Sequence, residues 1–227
     1  PPLTELTPLP QEIMLSELPR ANAEMPSKSL GGILMNPPAP PGLPVGYVSQ
    51  FTAPVETFDK KPIGRDVLAE ITRAAFRGGT YFPLRPEGSH VGIVRPFWVV
   101  QNVTGQDAGI WWNDPLTDHW ALLNPGQYAI ESAHLTRHRD TLQNAAAVCV
   151  MVADLRTLLG QAGPDLYRLA HLEAGIVAQR MNLAATSLDL TLAIHADFYD
   201  DLWRQFLGLS TTGWEPLLVC AVGAKPS

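Results

Sequence analysis

His90, Gly92 and Arg95 stand close together in the run Ser89-His90-Val91-Gly92-Ile93-Val94-Arg95, directly before the apolar stretch Pro96-Phe97-Trp98-Val99-Val100. An imidazole titrates near neutral pH and can act as an acid or a base. The alternative for His90 is a loop histidine without a role. His134 and His138 are spaced four apart in His-Leu-Thr-Arg-His, which on a helix would put both on one face as metal co-ligands. No third ligand of fitting spacing accompanies them, so they read as surface histidines and no metal is expected. Trp111, Trp112 and Trp120 read as hairpin packing rather than a substrate cage. The sequence holds no glycine-rich phosphate loop, no Gly-x-Ser-x-Gly nucleophile turn and no zinc-finger spacing.

These residues need elements to hold them. Pro62–Gly78 has apolar residues at Val67, Leu68, Ile71 and Ala74–Phe76, a helical period closed by Gly78-Gly79. Arg95 to Val103 reads as a strand with a proline at its start. A hairpin follows: Gly109–Asn113, a turn at Asp114-Pro115, then His119–Leu123. A second helix is expected to begin at Gln127 and run to His138, followed by a buried strand over Ala145–Leu155. The longest helix is expected over Asp165–Leu188, with Ala170, Ala174, Gly175, Ala178 and Ala184-Ala185 as a small-residue face. Such a helix, apolar on nearly every side, is expected to be buried against other helices or a partner subunit. Phe198–Leu209 reads as a short amphipathic helix and Glu215–Gly223 as a final central strand. Strands and helices mix without strict alternation, so the fold class is α+β.

Composition narrows the function. The 227 residues are 46% hydrophobic and 17% charged, enough for one sizeable core and far from a disordered chain. A net charge of −6 supplies no broad positive field, so no nucleic-acid partner is expected. No apolar run is long enough to span a bilayer, and no membrane association is expected. The opening residues lack the basic and apolar regions of a secretory signal. They also lack an initiator methionine, which suggests a trimmed chain or a fragment. The two cysteines, Cys149 and Cys220, each sit inside an apolar strand-like run. They read as reduced core thiols, which suits the cytoplasm. A dozen of the 21 prolines fall within residues 1–54. Proline excludes a regular helix or a central strand there, yet the segment carries Ile-Met-Leu and Gly-Gly-Ile-Leu-Met. Residues 1–54 therefore read either as an extended arm laid over the domain or a partner, or as a linker, with residues 55–227 forming the domain.

From about residue 55 to residue 223 the order of segments resembles a known family. Leu166–Leu190, followed by Phe198–Leu209 and Glu215–Gly223, resembles the end of the nitroreductase-like flavoproteins. The nearest branch is the azoline dehydrogenases of the SagB type, which oxidise thiazolines and oxazolines in peptide natural-product pathways. Ala108–Leu123 resembles that branch's Gly-(Leu/Ile)-(Tyr/Trp)-x-(Tyr/x)-(Asp/Asn)-Pro segment. Ser89–Val100 falls where the branch carries Pro-Ser-x-Gly-x-x-x-Pro before a strand. The resemblance implies an α+β nitroreductase-like fold, extensive dimerisation, and FMN bound where two chains meet. It implies as partners a second copy or a nitroreductase-like subunit, with a peptide as a possible substrate.

It also implies site residues, and here the sequence departs from the pattern. The family's Arg-Arg-Ser-x-Arg-x-Phe stretch for the FMN phosphate is matched by Thr52-Ala53-Pro54-Val55-Glu56-Thr57-Phe58. Only the phenylalanine remains, and a carboxylate beside a phosphate is repulsive. Lys60, Lys61, Arg65 and Lys225 are the replacement cations, Lys225 first, because family chains often end with a basic residue at the phosphate; the alternative is four solvated surface charges. The family's glycine-rich turn at the flavin N5 corresponds to Ile194-His195-Ala196-Asp197-Phe198. This makes Ala196 and Asp197 flavin-edge positions, or else Asp197 the N-cap of the helix that follows. The azoline dehydrogenases' Lys-Tyr dyad corresponds to Gln161 and Ala162, neither of which takes a proton. Arg95 would face the flavin pyrimidine or its phosphate. Two functions follow: an FMN-dependent oxidoreductase converting azolines to azoles, or a catalytically degenerate subunit that has lost FMN and supports an active flavoenzyme.

Overall fold

A computed structural model describes residues 55, 57–77, 92–115, 117–157 and 165–226. Its centre is a six-stranded, wholly antiparallel sheet. In chain order the elements are β1 (Ile63–Gly64), α1 (Arg65–Phe76), β2 (Arg95–Val100), β3 (Val103–Thr104), β4 (Gly109–Asp114), β5 (His119–Pro125), α2 (Ala129–Ala133), α3 (Arg139–Asn144), β6 (Ala147–Asp154), α4 (Asp165–Ser187), β7 (Leu190–His195), α5 (Asp200–Phe206) and β8 (Trp214–Ala224). The order across the sheet is β5-β4-β2-β6-β8-β7, and β1 and β3 form a separate parallel pair.

The sheet is buried on both faces, which is why β6 reads Ala-Val-Cys-Val-Met-Val-Ala without polar alternation. Along each strand successive side chains enter opposite cores. Trp98, Val100, Cys149, Met151, Cys220 and Val222 join α1 and α4 on one face. Phe97, Val99, Val148, Val150, Val219 and Ala221 join Leu142 of α3 and Trp203 and Phe206 of α5 on the other. Each fully buried valine contributes roughly 1.5–3 kcal/mol relative to an exposed one. Cys149 and Cys220 are direct cross-strand neighbours. Both are buried free thiols, and burial pushes both thiol pKa values up. No helix among the described residues is long and apolar enough to cross a membrane.

Most expected elements form where their periodicity puts them, and three differ. The helix expected over Gln127–His138 is instead two short ones, because Leu135 and Thr136 leave the helix to pair with the segment before α5. The Tyr199 amide donates to the Leu135 carbonyl at 3.0 Å, and Thr136 bridges Phe198. His134 therefore closes α2 while His138 opens α3, and the two do not share a helical face. Leu190–His195 is an edge strand, so Ile194 and His195 belong to β7 rather than to a turn. The long helix buries Leu166, Ala170, Ala174, Val177, Ala178, Met181, Ala184 and Ala185. Its outer side is mixed, with Arg168, His171 and Gln179 exposed beside Tyr167 and Leu172, so it is not apolar on nearly every side.

Candidate functional site

The entrance to β2 is held by a buried carboxylate. Glu173 is 3% exposed on the sheet-facing side of α4, and its Oε1 accepts the Val94 amide at 3.0 Å. Burial raises its pKa; the Val94 and Ile93 amides and then the Arg95 and Arg180 charges oppose that shift. Gly92 lies against this carboxylate: a Cβ there would lie 1.8 Å from Glu173 Oε1, so a larger residue would displace the carboxylate from the Val94 amide. Half-buried Arg95 turns its guanidinium inward, donating to the Gly92 carbonyl and, at 3.0 Å, to the Val94 carbonyl. Burial lowers its pKa, against the pull of Glu173 and Asp114. Gly92, Arg95 and Glu173 thus form one closed polar unit. His90 lies outside the described residues, as do Gln161 and Ala162.

At the opposite end of the sheet the two chain ends of the domain meet. Phe58 is buried against Gly223, where a Cβ would lie 2.9 Å from its ring, and Asp59 bridges Ala224. Lys225 therefore follows directly beside the Thr57-Phe58-Asp59 stretch. Its Nζ donates to Asp189 Oδ1 at 2.7 Å, and that contact lowers the Asp189 pKa. Lys61 is paired in the same way with Asp59 at 2.8 Å. Lys60 and Arg65 make no ion pair among the described residues.

The third group lies in the turn between β7 and α5. Asp197 does not cap α5: that helix begins after Tyr199 and has no side-chain cap. Its carboxylate pairs instead with His138, Nε2 to Oδ2 at 2.8 Å, and its carbonyl accepts the Thr136 hydroxyl at 3.2 Å. His138 stacks on His195 with ring centroids 4.6 Å apart. His195 ends β7, is 6% exposed, and its buried Nε2 has no hydrogen-bond partner. Burial, then His138, lower its pKa, while Asp197 acts the other way. Ala196, beside them, is exposed.

The expected site residues do not all converge. Arg95 pairs with Val152, and Val152 with Pro216, so Gly92 and Arg95 share one end of the sheet with Ala196 and Asp197. Two strands, β6 and β8, separate the two pairs, a distance of about 14 Å across the sheet. Lys225 lies at the far end of β8, about 30 Å along the strand from Pro216. Sequence reasoning missed Glu173, whose only signal was an acidic residue on an apolar face. It also missed His195 as a neighbour of His138, a pairing that no local spacing encodes.

A family model for the nitroreductase family matches residues 55–224. The chain belongs to the nitroreductase family. Comparison with curated proteins finds no match. Among solved structures, this nitroreductase-family chain is similar to a chain described as a nitroreductase from Anabaena variabilis, with a TM-score of 0.70 and 19% identity over 80% of this chain and 38% of that one. The chain thus spans well under half of that relative. A chain described as a nitroreductase from Ralstonia eutropha gives a TM-score of 0.65 at 19% identity, covering 82% and 85%. A chain of the E. coli microcin synthetase complex McbBCD, determined with truncated pro-MccB17 bound, gives 0.62 at 16% identity, covering 97% of this chain and 84% of its own. At these identities the likeness is one of fold.

Neighbours of this fold include an FMN-dependent nitroreductase from Clostridium difficile, which makes FMN the cofactor to test against these residues. FMN's phosphate requires cations or backbone amides. Beside Phe58, Lys225 and Lys61 each already carry an acid partner, and no arginine stands within residues 40–60. Arg95 is turned onto its own loop. The described residues of one chain do not fit together as a complete FMN site.

Proposed function

We propose that this nitroreductase-family chain serves FMN-dependent oxidation of thiazolines and oxazolines to azoles in peptide natural-product biosynthesis, as one wall of a two-chain flavin site that another nitroreductase-like subunit completes. The observation that carries this reading is the pairing of Lys225 with Asp189 and of Lys61 with Asp59, which removes net positive charge where the phosphate would sit. Likeness to a chain of the microcin synthetase complex McbBCD with truncated pro-MccB17 bound supports a heteromeric partner and a substrate from peptide natural-product biosynthesis. The proline-rich residues 1–54, read from the sequence as an arm or a linker, lie outside the described residues.

A second reading, a self-sufficient FMN enzyme, is favoured by one specific observation. The Phe58–Gly223 packing and the Asp59–Ala224 bridge bring together the two stretches that the family resemblance assigns to the phosphate, with Lys60 directly after Asp59. The visible absorption spectrum of the purified chain, before and after addition of FMN, separates the two. A colourless protein that leaves the spectrum of added FMN unchanged supports the two-chain reading. Flavin bands approaching one per chain overturn it and restore the self-sufficient enzyme, with His90 as its candidate acid or base.

A further inference from the structure

Away from the Gly92–Glu173 unit and from the Phe58 end of the sheet, three potential metal ligands come together. One nitrogen each from His138 and His195 and one carboxylate oxygen from Asp197 all lie within 4.8 Å of one another. The sequence separates His138 from the other two by 57 and 59 residues; the fold joins them by stitching two turns. The Thr136 hydroxyl donates to the Asp197 carbonyl at 3.2 Å, Thr136 bridges Phe198, and the Tyr199 amide donates to the Leu135 carbonyl at 3.0 Å. The backbone carrying the three ligands is therefore fixed from both sides.

Within this cluster His195 has a polar atom that the protein leaves without a partner. Its Nε2 is buried without a hydrogen bond, a state that is unfavourable in a folded protein. A buried imidazole with an unmet nitrogen, a second imidazole stacked on it and a carboxylate 2.8 Å from that second ring form a two-histidine, one-carboxylate donor set. Such a set suits a borderline divalent cation, zinc above all. Magnesium and calcium prefer all-oxygen ligands.

We propose that His138, His195 and Asp197 bind one zinc ion, or a similar divalent transition-metal ion, with the fourth position left to water. His138 and Asp197 are each about half exposed, so the ion reaches the site from solvent and its open position faces outward. Tetrahedral ligands at about 2.0–2.1 Å from zinc stand about 3.3 Å apart, so binding draws the three donors together from within 4.8 Å and turns the stacked His138 and His195 rings so that both nitrogens face the ion. Bound there, the ion clamps the turn between β7 and α5 onto the start of α3.

The test uses the full chain, stripped with a chelator and titrated with Zn2+ by calorimetry and with Co2+ by visible absorption. One ion per chain is expected, with cobalt bands of a tetrahedral or five-coordinate site. His138→Ala and Asp197→Ala change half-exposed side chains, and each is expected to weaken binding at least about tenfold, since loss of even an outer-shell partner costs about 10–100-fold. His134→Ala, an exposed histidine outside the cluster, is expected to bind as the parent does. Circular dichroism of each variant confirms that the fold is kept. Absence of saturable binding by the parent overturns the proposal. Binding that survives both His138→Ala and Asp197→Ala, or that His134→Ala abolishes, overturns it equally.

Discussion

The Val94 amide donates to Oε1 of Glu173 at 3.0 Å, joining residues 79 apart in sequence and fixing the loop before β2 to the long helix α4. Because the carboxyl is buried, its pKa is raised above the ordinary 4.5. The native state therefore holds this proton more tightly than the unfolded chain. The linked destabilisation is absent below pH 4.5, grows as pH rises through the folded pKa, and is complete above it. Urea unfolding of the parent and of Glu173→Gln across this range should show the parent losing stability relative to the variant as pH rises. A difference that stays flat with pH would contradict the raised pKa.

Gly92 packs directly against the same carboxylate. A methyl at this position would lie 1.8 Å from Glu173 Oε1, so Gly92→Ala should destabilise the fold by about 1–3 kcal/mol, the usual cost of overpacking. The clash predicts coupling: in a Glu173→Ala background the same substitution should cost markedly less. Denaturant midpoints for the four proteins of this cycle give the answer, and simple additivity would rule out the contact as the cause.

Asp189 is the acid that neutralises Lys225, and its backbone is left-handed at φ 60°. Asparagine tolerates that conformation, so Asp189→Asn removes the charge without straining the turn. If Lys225 stands at the phosphate side of a flavin site, the variant should bind FMN several-fold more tightly than the parent while binding riboflavin no better. Flavin fluorescence quenching measures both. Equal gains for the two flavins would place the effect away from the phosphate.

Cys149 and Cys220 face each other across β6 and β8 and are fully buried. Burial disfavours both thiolates, the reactive form. Native protein should therefore leave a thiol reagent such as Ellman's unreacted over hours, and unfolded protein should titrate two thiols per chain. Fast labelling of native protein would show that this part of the sheet opens readily.

The elements that were legible in the sequence share a property: each carries its own period. Arg65–Phe76 shows the helical spacing of its buried Leu68, Ile71 and Phe76, and Ala147–Asp154 is an unbroken apolar run because both faces of the sheet are covered. The Trp111–Trp120 hairpin forms as expected, although Asp114 still pairs with His119 and the turn begins only at Pro115. Leu190–His195 was not legible as a strand, because an edge strand six residues long after a helix carries too few buried positions to mark a period. The break at Leu135–Thr136 was equally hidden. Its cause is hydrogen bonding to Asp197 and Tyr199, some 60 residues downstream.

By itself the sequence determined the α+β class, the apolar strands and helices, the burial of the two thiols, and the absence of arginine from residues 40–60. These follow from side-chain chemistry and from spacing within one element, both local properties. Only the tertiary structure decided that Lys225 pairs with Asp189, that Arg95 turns back on its own loop, that Glu173 packs against Gly92, and that His138, His195 and Asp197 share one corner. Each of those joins residues that strand pairing and helix packing bring from distant parts of the chain, and the energy of a charge or an unmet hydrogen bond depends on those neighbours rather than on the residue that carries it.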